Sequence, residues 1–310
     1  MKILVLLFLL ISPSIIYTQK FLIFGGNSGW IGQQLVRMLK QQGHTAICAT
    51  SRLENREKVI AEIEHHNPDF IINAAGITGR PNVDWCEDHK EETIRANVLG
   101  ILNLVDITGM KGIHLTNIST GCIYKYDEKH PLGSGIGFTE KDEPNFAGSF
   151  YSHTKIIIEK LINNYPHVLH LRLRMPIADD LTQRAFVGKI INHKKLINIP
   201  NSMAVMHDLL PLIIDMTQKK YTGIYNFVNP GTISHHEVIE LYKKYIDPEH
   251  RYESFSVEEQ DRILKAPRSN CELDATKLLT LYPHIPSIKK SVIAVFKRMK
   301  NSMNFTKIQD

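Results

Sequence analysis

Cysteine is scarce in this chain: Cys48, Cys86, Cys122 and Cys271 are all it has in 310 residues, widely spaced, with no C-x-x-C pair and no histidine at metal-ligand spacing. That excludes a disulfide framework and a zinc site as organising devices. Cys48, Cys86 and Cys271 are expected to pack as small hydrophobes, whereas Cys122 stands two residues after Thr120 at a strand end, where function often sits. Charge of one sign is thin as well. The 37 Lys and Arg against 32 Asp and Glu leave a net charge of +5, dispersed along the chain. So mild and unclustered a balance excludes a nucleic-acid-binding surface and suits a small anionic ligand. Internal repeats and low-complexity blocks are absent. The most apolar stretch, Ile3 to Ile11 in "MKILVLLFLLISPSIIYTQK", stops at Ser12-Pro13-Ser14. It is too short to span a bilayer as a helix of roughly 20 residues and has the outline of a signal peptide. An upstream extension is the rival reading, so residues 1–19 are treated as a leader outside the fold. Two glycosylation sequons, at Asn117 and Asn304, bear on the compartment.

What is present is a regular alternation, with 43% hydrophobic and 22% charged residues, enough for a sizeable core. "KFLIFGG", "HTAICATS", "PDFIINAAG", "GIHLTNIST" and "VLHLRLRMP" read as short strands. Between them, Trp30 to Gln42 (closed by Gly43), "REKVIAEIEHHN", "EETIRANVLGILNLVDI" and "SFYSHTKIIIEKLINNY" read as helices. This pattern predicts an α/β fold, a doubly wound parallel sheet of Rossmann type over residues 20–176. A smaller substrate-binding lobe is expected over 177–300, with 221–230 returning to the main sheet and 301–310 as a tail. In such sheets ligands collect at the carboxyl ends of the strands.

Those strand ends carry the chemistry. Gly26, Gly29 and Gly32 in "GGNSGWIG" form G-x-x-G-x-x-G between the first strand and the first helix, a turn suited to a dinucleotide pyrophosphate; Asn27, Ser28, Trp30 and Ile31 belong to the same turn. The second strand ends in "TSRLENR", where Ser51 and Arg52 stand in place of the acidic residue that would bond a ribose 2′-hydroxyl. Arg52 suits a 2′-phosphate, which favours NADPH. Asn73, Ala74 and Ala75 close the third strand with small residues, as expected beside a cofactor. Tyr151 and Lys155 in "YSHTK" share one helix face. A neighbouring ammonium is expected to lower the phenol's pKa and make it a usable acid. Thr120 closes the fourth strand with a hydroxyl.

Together these elements resemble the extended short-chain dehydrogenase/reductases. Within that superfamily "TGRPNVDWCE", "TGC", "HPLGSGIGF", "PNFAGSFYS", "RMP", "IPNSM", "TGIYNFVNPG" and "APRSN" resemble the bifunctional 3,5-epimerase/4-reductases of UDP-rhamnose synthesis, over about Lys20 to Pro286. The sugar-nucleotide 4-reductases and the regulatory beta subunit of methionine adenosyltransferase are more distant relatives.

The resemblance implies that Thr120 polarises a C4 ketone, Tyr151 donates the proton to its oxygen, and Lys155 tunes Tyr151 and holds the nicotinamide ribose. It further implies that Cys122 and Lys189 form the acid/base pair inverting C3 and C5, that Arg80, Asn82, Asp84 and Trp85 line the sugar pocket, and that Arg268 meets the diphosphate. The cofactor is then NADPH and the substrate a nucleotide sugar, with UDP or dTDP left open. No metal and no nucleic acid are expected. Gly121 and Cys122 follow Thr120 where a 4,6-dehydratase has an acid pair, so a separate dehydratase supplies the ketone. A homodimer is compatible with this reading. The family favours the cytoplasm, and the leader, if a signal peptide, favours the secretory pathway. Two alternatives stand beside it: a 4-reductase only, and a non-catalytic regulatory subunit.

Overall fold

The computed structural model describes residues 18–309, with side chains described to residue 303. The leader therefore lies almost wholly outside the described residues, as does the Asn304 side chain. Among the described residues no helix is long and apolar enough to cross a membrane.

Strand β1 (Lys20–Phe24) is an unbroken apolar run because both its faces are covered: Phe21 and Ile23 enter one core, Leu22 and Phe24 the other. Helix α1 (Trp30–Gln41) follows and ends at Gly43, whose φ of 82° is left-handed. Then come β2 (Thr45–Cys48), α2 (Arg56–His66), whose N-cap Asn55 accepts from Lys58 N, β3 (Phe70–Asn73), β4 (His114–Thr120) and β5 (Val168–Leu173). All strand pairs of the main sheet are parallel, in the order β2-β1-β3-β4-β5 with Gly223–Asn226 sixth. The order reverses between β1 and β3, and the crevice at that reversal is where such sheets bind ligands.

Helices α1 and Met206–Gln218 cover one face; α2, Gly100–Met110 and Phe150–Ile162 cover the other. The chain beyond Pro176 thus contributes to two cores. Met206–Gln218 packs on the main sheet, whereas Phe186, Val187, Ile239, Val292 and Phe296 share a separate cluster in the smaller lobe. The long helix expected over 91–107 is three pieces: Lys90–Ile94, a π-helical turn Arg95–Leu99, and Gly100–Met110. Such wide turns mark places where a side chain is re-aimed.

Strand β5 is the unusual element. Its sequence alternates apolar and polar residues, a pattern that ordinarily puts the polar side in water. Here Leu169, Leu171 and Leu173 enter the core, yet His170 and Arg172, with Arg174 just beyond, are all buried on the opposite side. In register with His170 lie Asn117 of β4 and Asn73 of β3. They form a directed chain. The Ala75 amide can only donate, and it does so to Asn73 Oδ1 (3.0 Å). Asn73 Nδ2 then donates to Asn117 Oδ1 (2.8 Å), and Asn117 Nδ2 to His170 Nδ1 (3.1 Å). His170 is left with its proton on Nε2, 3.2 Å from Glu159 Oε2, within ion-pair range though off the line of a good hydrogen bond. Glu159 receives a two-pronged contact from Arg172, Nε to Oε2 at 3.0 Å and Nη2 to Oε1 at 2.6 Å. With Asn117 wholly buried and both ends of its amide engaged, an N-linked sugar there is incompatible with this packing.

Burial works to raise the Glu159 carboxyl, but the nearby His170 N–H and the two-pronged, charged contact from Arg172 outweigh it and hold it at about 2. A carboxylate depressed in the fold stabilises above its unfolded value of 4.5, and that stability is lost as pH falls toward about 2. Removing one partner of such a pair costs about 3–5 kcal/mol. Glu159→Gln is therefore expected to lose stability of that order in urea unfolding at neutral pH, and to lose much less at about pH 2, where the wild-type carboxyl is itself half protonated.

Candidate active site

The glycine turn is built by close approach of backbone to backbone. A Cβ at Gly29 would stand 2.5 Å from Gly25 O, and one at Gly32 2.2 Å from the same atom. Gly25 itself, at φ 81°, lies against the Ala74–Ala75 backbone, where a Cβ would come within 2.8 Å. Gly26 packs on Cys48, and Asn27 Nδ2 donates to Ala49 O, which ties the turn to the end of β2. The N-cap of α1 is Gly29, with no side-chain cap and no acidic residue in the first turn. The first amides are thus left for an anion, which fits a pyrophosphate. A pocket of about 600 Å³ opens beside the turn, lined by Asn27, Ser28, Trp30, Thr182, Gln183 and Arg184, and Arg184 Nη1 donates to Ser28 O across it. Ile31 follows Trp30 inside α1.

At the end of β2, Ser51 N donates to Glu62 and its hydroxyl to Lys58 O. The Arg52 side chain is 75% exposed, with Nε 3.2 Å from Glu54. It lines a second pocket, of about 510 Å³, together with Asn55, Arg56 and Arg95. Asn73, Ala74 and Ala75 form the turn opposite Gly25.

Four of the expected residues converge at the carboxyl end of β4. Ser149 caps the helix Phe150–Ile162, accepting from Ser152 N, and this helix puts Tyr151 and Lys155 on its buried side. Thr120 Oγ1 accepts from Cys122 N (3.1 Å), which curls the chain back over the hydroxyl. Ser152 Oγ donates to Cys122 O (2.6 Å), so the turn is pinned to the helix. Lys155 Nζ lies 5.8 Å from the Tyr151 ring centroid.

The lowered phenol pKa expected from the sequence is not what this geometry produces. Burial pushes the Tyr151 phenol well up, the neighbouring Cys122 adds to this, and the hydrogen-bonding Thr120 hydroxyl opposes it without prevailing. Burial also takes the Lys155 ammonium down to about 8. Desolvation dominates at both groups, and Tyr151 stays protonated across the neutral range, the form a proton donor needs.

The loop after β3 is anchored from the far end of the chain. Arg268 Nη1 donates to Asp84 Oδ1 (2.7 Å) and Nη2 to Asn82 Oδ1 (3.3 Å). Burial works to raise the Asp84 carboxyl, but Arg268 holds it below its ordinary value. Trp85 stacks on His89 with centroids 3.8 Å apart. Arg80 is exposed. Lys189, on the short helix Phe186–Ile190, is exposed as well, yet enough protein surrounds it to lower its ammonium pKa by desolvation. Among the described residues its side chain makes no hydrogen bond or ion pair with Thr120, Cys122 or Tyr151; His193 lies nearby, its imidazole pKa lowered by burial and by the Lys189 ammonium.

Residues 22–173 match the NAD dependent epimerase/dehydratase family. The chain is 54% identical over 274 residues to the bifunctional dTDP-4-dehydrorhamnose 3,5-epimerase/dTDP-4-dehydrorhamnose reductase of Arabidopsis thaliana, covering 88% of this chain and 91% of that protein. This chain belongs to that family of bifunctional 3,5-epimerase/4-reductases. It is also 50% identical over 275 residues to a trifunctional UDP-glucose 4,6-dehydratase/UDP-4-keto-6-deoxy-D-glucose 3,5-epimerase/UDP-4-keto-L-rhamnose-reductase of the same plant, 88% of this chain but only 41% of that longer protein. Among solved structures, the L780 UDP-rhamnose synthase from Acanthamoeba polyphaga mimivirus superposes with a TM-score of 0.86 at 38% identity, over 90% of this chain and 99% of that one. A dTDP-4-dehydrorhamnose reductase from Bacillus anthracis, solved with NADP, shares the fold with a TM-score of 0.76 at 19% identity, over 91% and 98% of the two chains.

Two residues of this epimerase/reductase escaped the sequence reading. Asn97 is wholly buried in the π-helical turn, its Oδ1 accepting from Ile77 N (2.9 Å) and its Nδ2 donating to Ile77 O (2.8 Å). It thereby fixes the chain after β3 where Gly76 faces both Asn97 and Lys155. An asparagine inside a long amphipathic stretch gives no sign of this. Gly25 was hidden by the motif beside it, although a Gly-Gly pair after a strand is a turn signal. A methyl group at Gly32 has no room, so Gly32→Ala is expected to weaken nicotinamide-dinucleotide binding at least tenfold in a fluorescence titration. Overpacking of this kind should also remove about 1–3 kcal/mol in urea unfolding.

Proposed function

We propose that this enzyme converts UDP-4-keto-6-deoxy-D-glucose to UDP-L-rhamnose by inverting C3 and C5 and then reducing the C4 ketone with NADPH. The observation that carries this is the meeting of Thr120, Tyr151 and Lys155 with a thiol, Cys122, beside a turn suited to a dinucleotide. A C4 ketone acidifies the hydrogens on both adjacent carbons. Cys122 and Lys189 take and return protons on opposite faces of the ring, and each inversion passes through an enolate. Thr120 and Tyr151 hydrogen-bond the C4 oxygen, which stabilises the enolate charge during inversion. In the reduction that follows, Tyr151 gives its proton to that oxygen, and Lys155 holds the nicotinamide ribose and restores the phenol's electrostatic surroundings. Bound NADPH supplies the hydride.

Arg52, Arg56 and Arg95 around the second pocket support NADPH over NADH, since together they suit a 2′-phosphate. Arg56 is held by Asp106; Arg52, whose Nε meets Glu54 but whose side chain is 75% exposed, and Arg95 form the discriminating pair. Arg80, Asn82, Asp84 and Trp85 border the sugar, and Arg268, which holds this loop, is placed to meet the diphosphate. Because no acid pair follows Thr120, the ketone comes from a separate 4,6-dehydratase.

The test is UDP-4-keto-6-deoxyglucose in deuterated buffer, followed by NMR before and after NADPH is added. Deuterium at C3 and C5 and then UDP-rhamnose are expected. Cys122→Ala should abolish the exchange, and Tyr151→Phe should slow reduction by about 10²–10⁴-fold while exchange continues. Reduction without exchange would leave a 4-reductase, and no turnover would leave a regulatory subunit. Replacing Arg52 and Arg95 together by Ala should raise the KM for NADPH at least tenfold and leave that for NADH unchanged; equal losses for both would return the preference to other residues.

A further inference from the structure

The pocket beside the glycine turn has a second wall, contributed by the smaller lobe, and Arg184 stands on it. Its guanidinium donates Nη1 to Ser28 O, in the middle of the turn and 156 residues away in sequence. Among the described residues that carbonyl is its side chain's only hydrogen-bond partner, and no carboxylate forms an ion pair with it. The acids just before it in the chain are engaged elsewhere. Asp179 accepts from Arg298 of the helix Ile288–Gln309, Nη2 to Oδ1 at 2.9 Å with Nε to Oδ2 beside it. Asp180 Oδ1 accepts from Thr182 N (3.0 Å) and Thr182 Oγ1 (2.6 Å). An arginine has five N–H donors in a planar fork, so most of this one is left for a ligand.

The segment that carries Arg184 is held in place from below. Ala185 N donates to Thr182 O (3.0 Å), which closes a turn just before the helix Phe186–Ile190. A Cβ on Gly188 would stand 2.1 Å from Thr182 O and 2.5 Å from Leu181 O, so the turn lies flat on that helix only because residue 188 has no side chain. Phe186, Val187 and Ile190 of the same helix enter the core of the smaller lobe. Arg184 therefore projects, exposed, from a base fixed by Arg298 at one end and by this core at the other. A side chain presented in this way costs little to order when a ligand arrives.

The opposite wall is positive too. The first amides of α1 have no side-chain cap and no acidic residue in the first turn, and Ser28 and Trp30 beside them line the pocket that Arg184 enters. Two positive walls without a carboxylate between them are complementary to an anion. A dinucleotide diphosphate laid over the glycine turn carries a negative charge on each phosphate, and the amides of the turn meet its oxygens from one side only. The other side faces the smaller lobe, where a planar fork of N–H donors suits phosphate oxygens.

We propose that Arg184 is a ligand of the dinucleotide diphosphate, reaching it from the smaller lobe on the side away from the glycine turn, so that the bound cofactor is held between the two lobes. This rests on the dinucleotide reading of the turn and is independent of which sugar reaction follows. One donor of the fork can stay on Ser28 O while the others meet phosphate oxygens. The helix Phe186–Ile190 follows directly and carries Lys189, so a cofactor gripped by Arg184 also steadies the helix from which Lys189 is proposed to act.

The test is fluorescence titration of NADPH and of NADH into the full chain and into its Arg184→Gln and Arg184→Lys variants. The diphosphate is common to both cofactors, so Arg184→Gln should weaken the two by the same factor, about tenfold or more, the size of one lost charge-assisted contact. Arg184→Lys keeps the charge without the fork and should lose less. Hydrogen exchange gives a second readout: saturating NADPH should slow the amides of residues 179–185 by about fivefold or more in wild type and leave them unchanged in the Gln variant. Unchanged affinity in a Gln variant that melts like wild type overturns the proposal and leaves Arg184 as a tie between the segment and the turn. A loss for NADPH alone overturns it as well, because the contact would then be to the 2′-phosphate. Wild-type protein that binds neither cofactor sinks the dinucleotide reading and this inference with it, whereas binding that the variant leaves intact sinks this inference alone.

Discussion

The pairing of Glu159 with Arg172 is the interaction on which the arrangement of the site depends. Glu159 lies on the same helix face as Tyr151 and Lys155, and Arg172 lies on β5, next to the edge strand of the sheet. Their two-pronged contact, wholly inside the protein, fixes both the height and the rotation of that helix over the sheet. A sliding helix would carry Tyr151 away from Thr120. Apolar packing alone tolerates such slippage better than a bidentate pair does, because hydrophobic contact has little directionality.

The same carboxylate ends a chain of hydrogen bonds that begins in the turn opposite the glycine turn. Because the Ala75 amide can only donate, the orientation of Asn73, then of Asn117, and then the tautomer of His170 follow in sequence. The Asn73–Ala75 turn and the helix bearing Tyr151 are therefore parts of one polar framework laid across three strands in register. Asn97 adds a second brace, holding the chain after β3 by both ends of its amide. The glycine turn is positioned differently, by backbone contacts that leave no space for side chains. Rigid surroundings of this kind suit the proposed chemistry, in which one oxygen faces the same groups through inversion and reduction.

Much of the site was legible in the chain because its parts are local. The glycines, the Tyr151–Lys155 spacing and the hydroxyl ending β4 each sit in a short motif whose geometry follows from the strand or helix that bears it. The surroundings were less legible. In "VLHLRLRMP" the alternation was read correctly as a strand, but periodicity reports which residues share a side and not whether that side meets water. His170, Arg172 and Arg174 look like a solvated edge and are in fact buried. The electrostatics of Tyr151 went the same way: a lysine four residues on suggests a lowered phenol, and burial reverses the sign.

The sequence by itself determined the parallel α/β sheet, the glycine turn after β1 and which residue types stand at the strand ends. It could do so because strand and helix periods and turn glycines act over a few residues. Only the tertiary structure decided which charges are paired, which are left uncompensated, and how far each acid is shifted. Those properties depend on solvent exclusion and on partners such as Ser269 and Arg174, or Asp84 and Arg268, that meet only when distant stretches of the chain pack together.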